Sequence, residues 1–328
     1  MKTKSNKIKD VEDYIYSELK NKYSQNEIKA LVSILFKEYA DINSAHLLAF
    51  KDDFINESSL LNIVLATQRL KKHEPIQYIL GHTEFCGLDI KVTPDVLIPR
   101  PETEELIQMI IDDSLENCAS NSKLSTLNSK PAINIIDLCT GSGCIALALN
   151  KYIANSNVFG IDISQDALKI ARENNGNLHL NVQFAQMDIL KCEINKIFSE
   201  ISKFFCDISN KVCNNTLQTS KEDTPLIDII VSNPPYVMEK EKVMMEKNVL
   251  DYEPSLALFV KDENPLVFYE KIAFFAQKYL KIGGKIYLEI NNSLANETLA
   301  LFSQKEYFAQ IRKDIFGRER FIFLQKKA

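Results

Sequence analysis

The chain has 328 residues, of which 45% are hydrophobic and 25% are charged, values that exclude a disordered or fibrous protein and leave room for about two domains. Its 39 basic and 44 acidic residues give a net charge of −5, which disfavours a broad surface for holding nucleic acid. Only nine glycines are present, fewer than half of the average share of about 7%, so we expect each to lie where the backbone requires it.

The N-terminal segment is charged rather than apolar, and no stretch approaches the roughly 18 apolar residues of a membrane span. We therefore expect a cytoplasmic protein with no membrane contact. The seven cysteines form no Cys-x-x-Cys pair and have no histidine at ligand spacing, which predicts free thiols and no metal site.

Residues 1–74 contain neither glycine nor proline and place apolar residues at helical spacing, which predicts a small N-terminal helical domain. The apolar stripes comprise Ile28, Leu31, Val32 and Leu35, followed by Leu60, Leu61, Val64 and Leu65. Between 75 and 100, short β-type runs alternate with Gly81, Gly87 and Pro94. This segment is predicted to be a β-hairpin linker.

Residues 101–328 have the pattern of an α/β domain. Pro101 suits the first turn of a helix, and beyond it apolar strands alternate with amphipathic helices, which predicts a mainly parallel sheet covered on both faces. The predicted strands are INIIDL, VFGIDI, NVQFAQMDI, LIDIIVSN, KIYLEIN and two strands around Gly317. Residues 191–224 interrupt this rhythm, and we predict a surface insertion whose first half is an amphipathic helix; a partner-docking helix is the alternative.

A glycine-containing turn with Gly141 and Gly143 separates the strand INIIDL from a helix whose first N–H groups are unpaired, as in nucleotide sites. Asp162, 19 residues after Gly143, suits a carboxylate that binds ribose hydroxyls in either an NAD or an S-adenosylmethionine site. Asp137 would repel a pyrophosphate and attract a cationic ligand, which favours S-adenosylmethionine. An ordinary turn without a ligand is the remaining alternative.

A second turn, Asn233-Pro234-Pro235-Tyr236, follows the strand LIDIIVS. The prolines lack N–H donors and stiffen the turn, so its carbonyls remain free to accept. Asn233 Oδ1 and the Pro234 carbonyl would each accept one N–H of a planar NH₂ group, while the Tyr236 ring packs on its flat face. Holding an amide or exocyclic amine roughly 3–3.5 Å from a methyl donor would catalyse transfer by alignment, without a strong base. A plain Pro-Pro turn is the alternative.

The chain resembles the peptide chain release factor N5-glutamine methyltransferases, the HemK or PrmC family, over nearly its whole length. The resemblance lies in QYILGHTEFCGLDIKVTPDVLIPRPETEEL at 77–106, IIDLCTGSGCIALAL at 135–149, GIDIS at 160–164, IIVSNPPYV at 229–237, DYEPSLALF at 251–259 and GRER at 317–320. It implies an α/β class I S-adenosylmethionine-dependent methyltransferase fold with a seven-stranded, mostly parallel sheet. It also implies methylation of the side-chain N5 of the glutamine in the GGQ loop of class 1 release factors, with S-adenosylhomocysteine as product, and a release-factor grip by the N-terminal domain and hairpin.

By the same resemblance, individual residues acquire roles. The cofactor loop would be Cys139, Thr140, Gly141, Ser142 and Gly143; Asp162 would bind the ribose, and Asp188 with Ile189 would border the adenine. Asn233 would contact both cofactor and glutamine, with Pro234, Pro235 and Tyr236 completing the glutamine pocket. Three features depart from the family: Cys139 replaces a glycine common in members, Ile189 replaces an aromatic residue found in some, and the 191–224 insertion is longer than usual.

Other functions fit parts of this pattern. Methylation of a ribosomal-protein glutamine uses the same acceptor turn, and methylation of DNA adenine N6 would need a flipped base and a cationic surface that the charge of −5 does not favour. A nicotinamide dehydrogenase or a non-enzymatic scaffold are alternatives of a different class. None of His46, His73, His82 and His179 lies near either motif in the sequence, which argues against hydride transfer.

Overall fold

The computed structural model of the chain describes residues 3–120, 132–191, 227–302 and 305–328, with the side chains at 116–120 excepted. The Cα positions divide it into two compact units, Met1–His82 with Met245–Tyr252, and Thr83–Met244 with Glu253–Ala328. The division predicted at 74 and 100 stays a prediction. From residue 192 onward, the predicted insertion at 191–224 lies outside the described residues.

The first unit is helical, as predicted. Its helices are α1 Ile8–Leu19, α2 Gln25–Ala40, α3 Ser44–Ala49, α4 Glu57–Leu70 and α5 Ile76–Leu80, with α9 Lys247–Tyr252 from the middle of the chain. Helix α2 begins with a capping box, because the Ser24 hydroxyl accepts from Glu27 N and the Glu27 carboxylate accepts from Ser24 N. The predicted apolar stripe of α2 is buried.

The apolar residues that predict α4 do form a helix, but only some of them are buried. Leu61 and Leu65 are 58% and 55% exposed, whereas Ile63, Ala66 and Leu70 are buried in the core of the first unit. Both sets repeat at intervals of three and four residues, so the spacing alone does not decide which one faces the other helices.

The predicted hairpin linker begins with a helix rather than a strand. The run IQYIL forms α5, which buries Tyr78 and Ile79 and ends at Gly81 with a left-handed φ of 86°. A two-stranded sheet follows, with β1 His82–Phe85 and β2 Leu88–Lys91. The correction follows from the glycine, since Gly81 ends a helix at its C-cap rather than opening a hairpin.

The second unit contains the predicted α/β pattern. Its strands are β3 Ile133–Leu138, β4 Ser156–Asp162, β5 Val182–Gln186, β6 Ile227–Ser232, β7 Val237–Met238, β8 Phe259–Val260, β9 Leu280–Glu289, β10 Tyr307–Lys313 and β11 Glu319–Lys326. Its helices are α6 Pro101–Ser120, α7 Cys144–Tyr152, α8 Gln165–Asn177, α10 Ser255–Leu258, α11 Val267–Tyr279 and α12 Ala295–Ala300. Pro101 begins α6, as predicted.

Seven of these strands form one sheet in the order β10-β11-β9-β6-β3-β4-β5. The pairs from β9 to β5 are parallel, and β11 is antiparallel to both of its neighbours. After β3 the chain continues outward to β4 and β5 and then returns to the other side of β3 as β6. The carboxyl ends of β3 and β6 therefore form a topological switch point, where open α/β sheets bind ligands.

Apolar side chains on the sheet pack against α11 in a large core that includes Ile136, Ile230, Tyr269, Phe275 and Leu288. In the described ranges, no helix is both long and apolar enough to cross a lipid bilayer.

Candidate active site

The predicted cofactor turn lies at the carboxyl end of β3 and is folded by its own backbone. Thr140 N donates to Ile161 O at 2.9 Å, and Gly143 N donates to Thr140 O at 2.9 Å. Gly143 precedes α7 with a φ of 81°, and a Cβ there would lie 3.1 Å from the Phe184 ring. Around Gly141, with a φ of 54°, a Cβ would meet nothing within 4 Å. Gly143 thus serves close packing, and Gly141 leaves an open face.

Asp162 is the last residue of β4 and supports this turn from the neighbouring strand. Its Oδ2 accepts from Gly141 N at 2.8 Å, and its Oδ1 accepts from Ser164 N at 2.9 Å. Burial raises the pKa of Asp162, and the N–H groups of Ser164 and Gly141 partly offset this rise. Asp162 is partly exposed as a residue, and the lone pairs that these N–H groups leave unused can accept from ligand hydroxyl groups.

Asp137 is completely buried in β3, close to the turn. Thr140 Oγ1 donates to its Oδ2 at 2.5 Å, and its Oδ1 has no hydrogen-bond partner among the described residues. Burial raises the pKa of Asp137 to about 7, although the Thr140 hydroxyl and the Ala146 N–H act in the opposite direction. A cation bound nearby would stabilise the ionised form, so this carboxyl group fits a positively charged ligand.

Cys139 and Ser142 complete the turn. Cys139 has a left-handed φ of 64°, which costs a residue other than glycine about 1 kcal/mol. Its side chain packs against the core of the sheet, and burial raises the pKa of its thiol well above the ordinary value. The Ser142 carbonyl accepts from Asn174 Nδ2 at 3.0 Å, which ties the turn to α8.

The pair predicted to border adenine follows β5. Asp188 Oδ1 accepts from Leu190 N at 2.9 Å, and Ile189 is 7% exposed within the core of the sheet. The adenine role of this pair stays a prediction.

The predicted acceptor turn follows β6, beside the cofactor turn. Ser232 Oγ donates to Leu138 O at 2.6 Å and so joins the ends of β6 and β3. Pro234 and Pro235 are buried, whereas Asn233 and Tyr236 are partly exposed. The two predicted turns thus lie at adjacent strand ends on one edge of the sheet.

Side chains from α6 and β9 hold the acceptor turn. Asn233 Nδ2 donates to Thr103 Oγ1 at 3.2 Å, and Thr103 Oγ1 donates to Glu289 Oε2 at 2.7 Å. Tyr236 OH donates to Glu289 Oε1 at 2.9 Å. Tyr269 OH donates to the backbone carbonyl of Glu289, also at 2.9 Å. Both ends of the acceptor turn therefore depend on one carboxyl group.

Glu289 is 1% exposed, and burial raises its pKa. The Thr103 and Tyr236 hydroxyls and the charge of Arg320 favour its ionised form and limit the rise. Burial lowers the pKa of Arg320, but nearby Tyr236, Glu289 and Asp314 more than offset this, so that its pKa lies above the ordinary value. The guanidinium group of Arg320 therefore remains charged beside Glu289.

Comparison with known proteins identifies the family. A methyltransferase domain model matches residues 129–315, and the PrmC N-terminal domain model matches residues 13–81. A release factor glutamine methyltransferase from Bacteroides thetaiotaomicron is 37% identical over 313 residues, covering 94% of this chain and 96% of that protein. The chain belongs to the release factor glutamine methyltransferase family.

Two more relatives with the name release factor glutamine methyltransferase are similar to this chain over most of their length. The protein of Flavobacterium psychrophilum is 36% identical, covering 96% of this chain and 98% of that protein, and that of Lactococcus lactis is 35% identical, covering 89% and 92%. The seven-stranded sheet of this methyltransferase, with its helical N-terminal unit, is the class I S-adenosylmethionine-dependent fold that the resemblance implied.

The structure of this methyltransferase joins two of the sequence strings that carry the resemblance. Arg100 Nη2 donates to Glu253 Oε1 at 2.5 Å, and Ile98 N donates to Glu253 Oε2 at 3.3 Å. The Glu253 side chain is 1% exposed and that of Arg100 is 33% exposed, so the carboxylate of this ion pair is buried while its guanidinium group reaches solvent. The string LIPRPETEEL is thus fixed to the string DYEPSLALF by a buried carboxylate.

The contacts of Thr103 and Glu289 with the acceptor turn of this methyltransferase were not predicted from the sequence. Thr103 lies in a quoted string, but nothing in that string distinguishes it from its neighbours. Glu289 could have been singled out in the sequence, because it is an acidic residue between Leu288 and Ile290 in an apolar strand. A charged residue at a position of that kind is rarely buried without a partner.

Proposed function

We propose that this enzyme transfers the methyl group of S-adenosylmethionine to the side-chain N5 of the glutamine in the GGQ loop of class 1 peptide chain release factors. The observation that carries the proposal is the acceptor turn. Among the described residues, Asn233 Oδ1 accepts no hydrogen bond, while its Nδ2 is engaged by Thr103. This leaves the oxygen available for one N–H of an acceptor amide.

The acceptor amide needs orientation more than activation by a base. The lone pair of its nitrogen is delocalised, so the Asn233 oxygen and the Pro234 carbonyl would hold the two N–H groups and set the nitrogen in line with the methyl donor. The ring of Tyr236 would pack on the amide plane. The methylated nitrogen is a strong acid until it loses one proton, and water suffices to accept that proton.

The cofactor side of the site suits S-adenosylmethionine, which supplies an electrophilic methyl group when bound and leaves as S-adenosylhomocysteine. Asp162 would accept the ribose hydroxyls, and the open face at Gly141 allows a ligand to approach the backbone. Asp137 would favour a cationic ligand through its buried carboxyl group. Asp188 and Ile189 would border the adenine.

The N-terminal helical unit would help to grip the release factor, while the catalytic unit receives the GGQ loop. Two relatives that align with 94% and 96% of this chain are named release factor glutamine methyltransferases, which supports this acceptor over a ribosomal protein. The net charge of −5 supports a protein acceptor over duplex DNA.

Intact-mass spectrometry tests the acceptor. The purified enzyme is incubated with S-adenosylmethionine and, in parallel, with a class 1 release factor, a ribosomal protein with an accessible glutamine, and duplex DNA. We expect the mass of one methyl group to be added to the release factor alone, with the modified residue located by peptide sequencing. A release factor whose GGQ glutamine is replaced by alanine serves as the matched control and should remain unmodified.

Calorimetric titration with S-adenosylmethionine and with NAD accompanies this assay. An enzyme that binds S-adenosylmethionine yet leaves the release factor unmodified would overturn the proposed acceptor. Tight binding of NAD would overturn the cofactor assignment as well.

A further inference from the structure

We propose that Thr103 and Glu289 are positioning residues that fix the amide orientation of Asn233 and the ring position of Tyr236. The inference rests on the proposed function, because it concerns how the acceptor turn presents an oxygen to an amide substrate. Neither residue lies in the turn itself, and they are contributed by α6 and β9.

The orientation follows from donors and acceptors. Thr103 Oγ1 donates its one hydroxyl hydrogen to Glu289 Oε2, at 2.7 Å. The Thr103 oxygen can then only accept from Asn233, at 3.2 Å. The NH₂ group of Asn233 must therefore face Thr103. Its oxygen consequently faces away from Thr103 and is available to the substrate.

Without this chain of hydrogen bonds, the amide of Asn233 could rotate by half a turn. Its NH₂ group would then face the acceptor amide, whose N–H groups need an acceptor. An Asn side chain has nearly the same shape in both orientations, so packing alone discriminates poorly between them. The Thr103 hydroxyl favours one of the two amide orientations of Asn233, and Glu289 sets the direction of that hydroxyl.

The second oxygen of Glu289 acts on the other end of the turn. Glu289 Oε1 accepts from Tyr236 OH at 2.9 Å, which fixes the ring that would pack on the acceptor amide. The backbone of Glu289 is fixed as well. Tyr269 OH donates to its carbonyl, and Glu289 pairs with Phe321 of β11. Thr103 and Glu289 are 2% and 1% exposed, which shields these bonds from competing water.

The matched variants are Thr103→Val, which keeps the shape and removes the hydroxyl, and Thr103→Ser, which keeps the hydroxyl. We expect Thr103→Val to lower kcat roughly three- to tenfold, the value of one hydrogen bond, with the Kd for S-adenosylmethionine changed less than about twofold. Thr103→Ser should retain most of the wild-type kcat. Glu289→Gln, which places an NH₂ donor beside one of the two hydroxyls, should lower kcat at least as much as Thr103→Val.

A double-mutant cycle separates positioning from a general structural role. If Thr103 acts through Asn233, then Thr103→Val should lower kcat no further in an Asn233→Ala background. An equal loss of kcat in both backgrounds would overturn the proposal, as would full activity of Thr103→Val beside an active wild type.

Hydrogen exchange of the Asn233 side chain, measured without substrate, tests the positioning role independently of the proposed function. In NMR spectra of asparagine-labelled enzyme, the side-chain NH₂ signal of Asn233 is identified by its loss in Asn233→Ala. We expect its hydrogen exchange to accelerate in Thr103→Val and to stay slow in Thr103→Ser. Equal exchange in the wild type and both variants would overturn the positioning role. An inactive wild type with slow exchange that Thr103→Val accelerates would instead overturn only the release-factor assignment.

Discussion

The cofactor turn at 139–143 and the acceptor turn at 233–236 lie at adjacent strand ends, yet they are held in different ways. The cofactor turn is folded by its own backbone and anchored by Asp162 through the N–H of Gly141. The acceptor turn is held by side chains that come from α6 and β9, through Thr103 and Glu289. The first turn therefore depends on its backbone conformation and on side chains that bind that backbone, whereas the second depends on hydrogen bonds between side chains.

This difference matches the role that we propose for each turn. A cofactor is bound by many groups, so the loss of one contact weakens binding without abolishing it. Methyl transfer depends on the alignment of one nitrogen, and a small rotation of one amide is enough to lose it. We expect substitutions in the acceptor turn to lower kcat, and substitutions in the cofactor turn to weaken binding or destabilise the fold.

The largest effect is expected at Asn233. Replacing Asn233 with alanine removes an oriented hydrogen-bond acceptor. The loss of transition-state stabilisation should be about 2–4 kcal/mol, which lowers kcat roughly 30- to 1000-fold. The Kd for S-adenosylmethionine should change much less. Steady-state methylation kinetics with calorimetry measure both, and Asn264→Ala, an exposed asparagine in a surface turn, is the control. Near-normal kcat in Asn233→Ala would remove this residue from the mechanism.

Asp137 should give the ligand-free enzyme a pH-dependent stability. The pKa of its carboxyl group is raised from the ordinary 3.8 to about 7, so the folded state retains a proton that the unfolded state loses. The stability contributed by this group is thus complete below pH 3.8 and is lost as the pH rises toward 7, by a few kcal/mol in total. Asp137→Asn does not titrate, so its Tm relative to wild type should rise between pH 5 and pH 8.

Thermal unfolding at a series of pH values, without ligand, measures this difference in Tm. Asp166→Asn, at an exposed aspartate, is measured in parallel as the control. A Tm difference between Asp137→Asn and the wild type that does not change with pH would contradict the prediction.

A smaller effect is expected at Asp162. Asp162→Ala removes the acceptor of the Gly141 and Ser164 N–H groups together with the proposed ribose contact. The binding free energy of S-adenosylmethionine should weaken by about 1.5–3 kcal/mol, a rise in Kd of roughly 10- to 150-fold, while kcat at saturating cofactor changes little. Isothermal titration measures the Kd. Asp166→Ala is again the control, and a Kd that follows the control would show that Asp162 is not a cofactor residue.

The smallest effects concern two glycines that differ in their surroundings. A Cβ at Gly160 would lie 2.6 Å from the Phe184 ring and 2.9 Å from Thr140 Oγ1, whereas a Cβ at Gly141 would meet nothing within 4 Å. Gly160→Ala should destabilise the fold by about 1–2 kcal/mol through overpacking. Gly141→Ala should cost about 1 kcal/mol of stability because of its positive φ, and should weaken cofactor binding more than Gly160→Ala does. Urea unfolding and calorimetry compare the pair, and the reverse ranking would contradict the assignment of the open face.

Much of the cofactor turn could be predicted from the sequence because its determinants are local. The strand INIIDL coincides with β3, and the glycines that follow adopt the positive φ values that make them necessary. The helical face of α4 could not be chosen between Leu61 and Ile63, because two overlapping stripes have the same spacing. Thr103 and Glu289 are 186 residues apart, so their contact exists only after the sheet has formed.

Strand β11, formed by Glu319–Lys326, lies inside the sheet between β9 and β10 rather than at its edge. During synthesis the N-terminal helices can pack early, since their core is drawn from residues between Ile8 and Ile79. The catalytic sheet cannot be completed until β11 has been synthesised, because β11 lies between β9 and β10 and ends at residue 326. A nascent or truncated chain that lacks this strand would have two exposed edges where the finished enzyme has paired backbone, and we expect such a chain to depend on chaperones and to have no methyltransferase activity.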